Sequence, residues 1–594
     1  MPTSTIRFPV LPACLCIVLA GIASAQQRPN AAQAPPPQPH AHHGQHPAEP
    51  AGQTSASSGS HQHYKVAPEA SLPSPTGALA PRLQNLGTHV FPVTTASERA
   101  QQFVSQGLNL SYAFNHAEAG RAFREAARLD PTCAMAYWGQ ALVLGPNINA
   151  AMDPKDEPTA HLLVKQAISL KAAASPREQA LIDALAHRYS DRPGDRAERD
   201  LAYARAMKAV VDRFPDDLDV AALYVESVMD LQPWNYWTRD GEPRDGIADV
   251  VALTESIIAR NPAHPGALHL YIHLMEAAHP ERAVTAADRL LPLMPAAGHM
   301  VHMPSHIYQR VGRYDLAIKS NQLAVAADED YITQCRAQGL YPMAYYPHNV
   351  HFLWFAATFD GQSALALEAA RKVGAGVSDE MLAEMPLLAG FRVVPYYAMA
   401  RFGRWDGILA QPQPPADSPF LVGAWHYVRG LALVARGRAD EAERELQAVR
   451  ALLHDKRLEA PLFSPNTAGA VLAIAPEVLA GEIAAARKDY DRAVAHLERA
   501  VRLDEGLVYT EPSEWHYPPR HALGAVLLEA GRPAEAETVY YDDLRRNPNN
   551  GWALFGVWKA LEAQGKTDEA AFAERRFRQA WTRADVTLTA SRLR

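Results

Sequence analysis

The stretch QGLNLSYAFNHAEAGRAFREAARLDP, residues 106–131, sets a pattern that the rest of the chain repeats. Its spacing fits a helix–turn–helix unit of about 34 residues, with small residues at positions 8, 20 and 27, a bulky one at 24 and proline at 32. Those positions are filled by Gly107, Ala119, Ala126, Phe123 and Pro131. Small residues let paired helices approach closely, the bulky ring fills the space between them, and proline ends the second helix. The stretch predicts a hairpin of two packed helices.

The same pattern recurs in phase along the chain. Its recurrences are Gly430, Gly481 and Gly524 at position 8, Ala317, Ala366, Ala442, Ala493 and Ala536 at position 20, and Pro215, Pro262, Pro295 and Pro548 at position 32. Between about residues 97 and 582 the chain resembles the tetratricopeptide-repeat superfamily, which implies an all-α helical solenoid. The words GHMVHMPSHIY (298–308) and YPHNVHFLW (346–354) resemble a subgroup of exported bacterial tetratricopeptide-repeat proteins with histidine-rich groove motifs.

Changes in composition divide the chain into five segments. We predict a signal peptide at 1–25, a disordered His/Pro-rich linker of low complexity at 26–88, an N-terminal solenoid at 89–409, a Pro-rich linker at 410–419 and a C-terminal solenoid at 420–594. The run QPQPP at 411–415 marks the boundary between the two solenoid halves. Insertions lengthen some units, at 232–248, 328–346 and 505–519, and the second of these is a candidate lid over the groove.

The N-terminus indicates export. Arg7 precedes an apolar run from Val10 to Ile22, and Ala23-Ser24-Ala25 fits a small-residue cleavage site. A secretory signal peptide is the preferred interpretation, with an N-terminal anchor as the alternative, because the run is short for a membrane span. We expect a periplasmic or secreted protein with no membrane span after cleavage. The following segment either collects metal loosely or is a linker of biased composition. Its histidines are His40, His42, His43, His46, His61 and His63.

Composition excludes several classes of function. The chain has 57 Lys and Arg against 65 Asp and Glu, a formal net charge of −8. It therefore lacks the basic excess of a nucleic-acid binder, and we expect no nucleic-acid partner. After cleavage only Cys133 and Cys335 remain, which is no disulfide framework and leaves a single bridge open. The sequence has no P-loop, nucleophile elbow, dinucleotide fingerprint or HExxH motif.

Nine of the 24 histidines lie between residues 264 and 351. Counting from the prolines at position 32 places the first positions of two units at Pro265 and Gly298, and counting from Ala366 starts a third at Pro347. Seven histidines then fall at positions 2, 5 or 9 of a first helix: His269, His273, His299, His302, His306, His348 and His351. These positions share one helix face, because they are three and four residues apart. In the superfamily that face lines the concave groove.

Imidazoles on neighbouring helices, about 8–10 Å apart between axes, can meet at one metal ion. Three or more of them suit copper, zinc, iron or nickel, and Met300 and Met303 favour copper, with zinc second. A carboxylate is predicted to join from either side, as Glu226 or Glu276. Glu276 is a candidate ligand, an acceptor that orients a histidine, or a catalytic base. A polar groove without metal and purely structural histidines are the alternatives.

Three functions fit these observations. The first is a periplasmic solenoid that binds a transition metal for handling or for metal-dependent chemistry. The second is a scaffold that binds a peptide or protein in its groove, since solenoids form extended concave binding surfaces. The third is a metalloenzyme, an oxidase with copper or a hydrolase with zinc, in which Glu276 is the catalytic residue.

Overall fold

The computed structural model of the chain describes residues 77–191, 194–335, 341–462 and 466–594. The predicted signal peptide and the six histidines that follow it lie outside the described residues. Across the described ranges the regular structure is helical, and β pairing is limited to three isolated bridges. The prediction of an all-α solenoid is confirmed.

The α-helices follow one another as hairpins and are numbered in chain order. Those of the N-terminal half are α1 (Glu98–Tyr112), α2 (His116–Leu129), α3 (Ala134–Leu142), α4 (Glu157–Leu170), α5 (Pro176–Leu185), α6 (Arg196–Arg213), α7 (Leu218–Met229), α8 (Ile247–Arg260), α9 (Pro265–Met275), α10 (Val284–Leu290), α11 (Gly298–His302), α12 (Pro304–Arg310), α13 (Tyr314–Cys335), α14 (Tyr346–Phe359), α15 (Ser363–Ala375), α16 (Asp379–Glu384), α17 (Ala389–Arg392), α18 (Val394–Arg401) and α19 (Trp405–Leu409). Those of the C-terminal half are α20 (Pro419–Ala435), α21 (Ala439–Leu452), α22 (Ala468–Leu472), α23 (Ile474–Ala486), α24 (Tyr490–Gly506), α25 (Pro519–Glu529), α26 (Pro533–Arg546), α27 (Gly551–Ala563) and α28 (Thr567–Ala580). Each helix packs mainly against its neighbours in the chain, as in other solenoids.

The repeat pattern corresponds to close packing between paired helices. A Cβ atom on Gly107 of α1 would lie 2.7 Å from the ring of Phe123 on α2. Position 8 must therefore carry no side chain, because the bulky residue at position 24 occupies that space. Gly524 on α25 meets Tyr540 on α26 in the same way, and the Tyr540 side chain is fully buried. This is the packing of tetratricopeptide repeats, and the chain has that fold.

The segment before α1 packs against the first repeat from Leu79 onward. The backbone N–H of Leu79 donates to Glu125 at 2.9 Å, and that of Leu83 donates to Gln106 at 2.9 Å. The ring of Phe91 is fully buried. The packed part of the protein thus begins inside the predicted 26–88 linker, because the apolar residues near its end have a surface to bury against.

Successive turns of the solenoid also touch each other. Arg583, beyond α28, pairs with Asp360 at the end of α14 at 2.7 Å. The backbone at Gly312 comes so close to the carbonyl of Pro548 that no side chain would fit there, and its φ of 73° also suits glycine. The two halves on either side of the 411–415 run are therefore held together by contacts far apart in sequence.

The C-terminal segment, 585–594, begins at Asp585, whose carboxylate accepts the backbone N–H groups of Ser363 and Ala364 at the start of α15, and it ends in the groove of the C-terminal half. Arg592 and Arg594 pair with Glu482 at 3.2 and 2.8 Å, and the Ser591 hydroxyl donates to the carbonyl of His521 at 2.6 Å. Glu482 on α23 and His521 on α25 occupy positions 9 and 5 of their units, on the face predicted to line the groove. The chain's own tail therefore fills this part of the groove.

One stretch, Ala468–Ala486, is long and apolar enough to cross a membrane by length and composition alone. Its most apolar window is 78% buried inside the solenoid, which is typical of a core helix. Cys133 and Cys335 are both buried free thiols, so the bridge that the sequence left open between them is not formed. Burial raises the pKa of Cys133 to about 11 and that of Cys335 to about 12.

Candidate metal centre

Helices of the N-terminal half bring six of the seven predicted histidines together. Helix α9 begins at Pro265 and α11 at Gly298, at the predicted first positions of their units, and α14 begins one residue before Pro347. The six are His269 and His273 on α9, His299 and His302 on α11, His306 on α12, and His348 on α14. All are buried except His348, which is partly exposed. The helical register explains this gathering, because spacings of three and four residues put them on facing surfaces.

The first triad consists of His269, His273 and His299, with one ring nitrogen of each within 4.8 Å of the others. Nδ1 of His269 donates to the carbonyl of Tyr112 at 2.6 Å, and Nδ1 of His273 donates to Glu276 Oε1 at 3.0 Å. A carbonyl or ionised carboxylate only accepts, so the lone pair of each ring is on Nε2. Among the described residues these two Nε2 atoms, and both ring nitrogens of His299, have no hydrogen-bond partner.

The second triad consists of His302, His306 and His348, whose ligand atoms also lie within 4.8 Å of one another. Nδ1 of His302 donates to Asn321 Oδ1 at 2.6 Å, and the amide of Asn321 is oriented by donating to a backbone carbonyl at 2.8 Å. Nδ1 of His306 lies 2.7 Å from Glu276 Oε2. Both rings are thus turned so that Nε2 points away from the anchoring group, as in histidines that bind metal.

The two Nε2 atoms of His302 and His306 lie 2.9 Å apart. With Nδ1 of His302 committed as a donor to Asn321 and Nδ1 of His306 facing two carboxylate oxygens, two lone pairs meet at this point unless a cation stands between them. A proton on His306 meets that need in the metal-free protein. A metal ion held by both nitrogens meets it as well, since three neutral imidazoles are a common donor set for copper and zinc.

Burial controls the charge of the cluster. It lowers the pKa values of five of the histidines well below the ordinary value, so these rings are neutral: His269, His273, His299, His302 and His348. Burial also acts to lower the pKa of His306, but the adjacent carboxylates Glu276 and Glu511 outweigh it and raise that pKa to about 9. Neutral imidazoles with free lone pairs are the form that binds a metal ion.

Aromatic rings pack around the cluster and lower the polarity of its surroundings. Phe114 lies 4.5 Å from His269 between ring centroids, and Phe352 lies 4.7 Å from His302. Tyr345 packs edge-on against His299 at 4.7 Å. A low-polarity surrounding strengthens any charged interaction at the centre.

Close backbone packing positions the N-terminal end of α11. A side chain on Gly298 would collide with the carboxylate of Asp328 on α13. Asp328 in turn accepts from Tyr341 at 2.9 Å, and the same Tyr341 hydroxyl accepts the backbone N–H of His299 at 2.8 Å. The segment that was predicted to be a lid thus contributes Tyr341 and Tyr345, which support the first triad.

His351 does not join the cluster. Its ring stacks on Trp354 at 5.1 Å and meets Phe391 at 5.6 Å. In α14 the stripe facing the second triad is His348 and Phe352, four residues apart, and His351 lies about 100° around the helix from Phe352. His351, which was predicted to line the groove with the other six histidines, therefore does not meet them.

Replacing His351 with Gln should flatten the acid side of the protein's stability profile. Burial lowers the pKa of His351 to about 3, whereas the unfolded chain titrates near about 6.5. As the pH falls below 6.5 the unfolded state takes up this proton first, and the native protein loses about 1.4 kcal/mol per pH unit from this group. Urea unfolding at pH 6.5 and pH 5.0 should show a loss about 2 kcal/mol smaller in the variant. Equal losses in both proteins would contradict the assignment.

Glu226 also lies apart from the two triads. It lines a small cavity with His116 and Arg188, away from the groove histidines. Burial raises its pKa to about 8, with nearby Asp230 adding to the rise and Arg188 opposing it. The predicted carboxylate is therefore supplied by Glu276 alone of the two candidates.

The residue that the sequence did not single out is Glu511. It lies in the 505–519 insertion, between α24 and α25, and its Oε2 is 3.0 Å from Nδ1 of His306. Tyr509 donates to its other oxygen, and Arg310 lies 3.7 Å from it. The insertion itself was visible in the sequence, but a loop without periodicity gives no sign of where it folds back.

A third group of potential ligands is better explained as a hydrogen-bond hub. Asp219 Oδ1 lies 2.8 Å from His89, 2.8 Å from the hydroxyl of Tyr112 and 3.3 Å from His264. Nδ1 of His264 already accepts the N–H of Ala267, so its Nε2 carries the proton and faces the carboxylate. These donors satisfy Asp219 without a metal ion.

Comparison with known proteins leaves the site to be interpreted from its own residues. Neither a protein-family model nor a curated protein matches the chain. The human IFIT1 dimer with m7Gppp-AAAA is 12% identical, with 82% of this chain and 91% of that chain covered and a TM-score of 0.29. The P58(IPK) TPR domain is 13% identical, with coverage of 79% and 99% and a TM-score of 0.22. The APC/C hetero-tetramer Cut9–Hcn1 is 12% identical, with coverage of 82% and 95% and a TM-score of 0.26.

Likenesses this distant carry no argument about function. The chain is a tetratricopeptide-repeat solenoid by its own packing, and its N-terminal groove holds two adjoining histidine triads.

Proposed function

We propose that this protein is an exported solenoid that binds a transition metal through the histidines of its groove, for metal handling or metal-dependent chemistry. The observation that carries the proposal is the set of buried ring nitrogens without partners in the first triad. Leaving buried polar atoms unpaired costs about 1–3 kcal/mol each, so such a cluster is unfavourable unless a ligand completes it. Export follows from the predicted signal peptide.

Copper is the favoured metal and zinc the second. Met300 and Met303 pack in the hydrophobic core, and the clustered donors are imidazoles with carboxylates behind them. A nitrogen site of this kind binds divalent copper more tightly than zinc. Glu276 then acts as the acceptor that orients His273 and His306, which is one of the roles the sequence suggested.

The test measures the metal content of a protein whose N-terminal linker histidines can no longer bind metal. We define the tail-silenced protein as the full chain without an affinity tag in which the six histidines of the predicted N-terminal linker are changed to Gln. The name refers to this N-terminal segment and not to residues 585–594. The six are His40, His42, His43, His46, His61 and His63. After loading with Cu(II) or Zn(II) and dialysis against a weak chelator, mass spectrometry of the metal should find tightly held ion. His302→Asn should reduce it, and the matched control His351→Asn, a buried histidine on α14, should not. A folded protein that retains no metal would refute the proposal.

Asn321→Ala should weaken metal binding without removing a ligand. Asn321 holds the ring of His302 through its Oδ1 atom at 2.6 Å. Loss of such an orienting partner typically lowers metal affinity about 10–100-fold. Chelator competition in the tail-silenced protein measures the change, and Gln334→Ala, at an exposed site on the same helix, is the control. Equal affinities in the two variants would show that Asn321 does not position the ligand.

A protein-binding scaffold is the second candidate function. The specific observation in its favour is that the C-terminal groove accommodates an extended segment, the tail 585–594, through Arg592 and Arg594. A partner of similar chemistry would be an arginine-containing peptide that displaces this tail. Capture of such a peptide that survives chelation and increases on removal of the tail would support this candidate.

A further inference from the structure

The six histidines form two sets of three. The closest rings within each triad have centroids 4.8 Å apart, as for His269 with His273 and for His302 with His306. Between the triads, His273 lies 5.9 Å from His306 and His299 lies 5.9 Å from His302. In each triad one ring nitrogen of every member lies within 4.8 Å of those of the other two, which defines two neighbouring sets of donors.

A single bound metal ion would use only one of the two triads. Copper and zinc bound by imidazole take about four ligands, and three protein ligands with an open position are typical of reactive sites. An ion in the second triad does nothing for the unpartnered nitrogens of His269, His273 and His299. An ion in the first triad leaves the facing Nε2 atoms of His302 and His306, 2.9 Å apart, without a metal ion that both could bind.

A single carboxylate links the two triads. Glu276 places Oε1 3.0 Å from Nδ1 of His273 and Oε2 2.7 Å from Nδ1 of His306. One carboxylate oxygen of Glu276 therefore faces an imidazole of the first triad, and the other oxygen faces an imidazole of the second triad. Glu511, 3.0 Å from the same Nδ1 of His306, adds a second buried carboxylate beside the centre. Two negative groups at this place reduce the repulsion between two adjacent cations.

We propose that the centre is dinuclear, with one transition-metal ion in each triad and Glu276 joining the two in their outer shell. The inference rests on the proposed metal-binding function and adds its stoichiometry and pairing. Two-metal sites hold their ions about 3.5–4 Å apart, where a small ligand such as water or hydroxide bridges them. Each triad leaves a coordination position for such a bridge.

The first measurement is stoichiometry. The tail-silenced protein is titrated with Cu(II) alone, and bound copper per chain is measured after removal of loose metal. We expect two ions per chain. His269→Asn removes a ligand of the first triad only, and His348→Asn one of the second only. Each should lower the count to one or fewer, and the double variant should bind none. Circular dichroism identifies any variant that fails to fold.

The second measurement needs no variant. Two adjacent Cu(II) ions couple magnetically, so the electron paramagnetic resonance signal of the fully loaded protein should account for far less than two spins per chain. Double integration against a copper standard provides this number.

The outcomes separate the two proposals. Two copper ions with a suppressed signal support the dinuclear centre. One ion per chain overturns it and leaves the metal-binding function standing. Two ions with two full, isolated spins overturn the pairing, since the sites would then be independent. No retained copper in a folded protein overturns both.

Discussion

Loading the tail-silenced protein with Cu(II) at about 1,000 times its dissociation constant is expected to raise the free energy of unfolding by about 4 kcal/mol for each ion bound. The gain arises because ligands from α9, α11, α12 and α14 meet only in the folded chain. Unfolding separates them, and the binding free energy is then lost. Urea unfolding with and without copper, at neutral pH where the five ligand histidines other than His306 are uncharged, measures the difference.

Two variants act as controls for this prediction. His302→Asn should keep most of the metal-free stability and show a much smaller gain on adding copper. His351→Asn should gain as much as the parent, since its ring lies against Trp354 and Phe391. Unfolding curves that do not respond to copper in any of the three proteins would argue against a folded-state site.

Removing the segment 585–594 is expected to destabilise the C-terminal half by about 3–5 kcal/mol. Glu482 is 5% exposed and is paired by Arg592 at 3.2 Å and Arg594 at 2.8 Å. Truncation takes away both cations that pair with Glu482, together with the packing of the segment over it, and so breaks the ion pairs from one side. The midpoint of urea unfolding, followed by tryptophan fluorescence, reports the loss.

A second substitution separates lost charge pairing from lost packing. In the truncated chain, Glu482→Gln removes the stranded charge and should recover part of the stability. Arg594→Gln in the full chain should cost less than the truncation, because Arg592 still pairs with Glu482. A truncated protein with the parent's unfolding midpoint would show that the tail is only loosely seated.

The sequence predicted the helical repeats and most of the histidine cluster for the same physical reason. Proline at position 32 ends a helix, so counting from Pro262 and Pro295 located the starts of α9 and α11. Within one helix the spacing of His269 and His273 is then enough to place both on the groove face.

The errors arose where the argument had to cross between units. His351 was placed on the groove face by the same count from Ala366 that placed His348, but its side chain instead packs in an aromatic layer. Glu226 was expected beside His273 from repeat stacking alone, whereas it lines a separate cavity with His116. Glu511 comes from a non-helical loop some 200 residues beyond His306, and only the curvature of the whole solenoid brings it there. Such long-range closure leaves no local pattern in a sequence.

The contacts between successive turns have a mechanical consequence. An open solenoid resembles a spring, because each repeat touches only its neighbours and the coil can lengthen by small rotations spread over many hinges. Here successive turns are held to one another by three contacts. These are the ion pair of Arg583 with Asp360, the close packing of Gly312 against Pro548, and the contact of Glu511 with His306. Such a coil cannot stretch to wrap a long partner. It resists extension, and under a pulling force it lengthens only when those contacts between turns break.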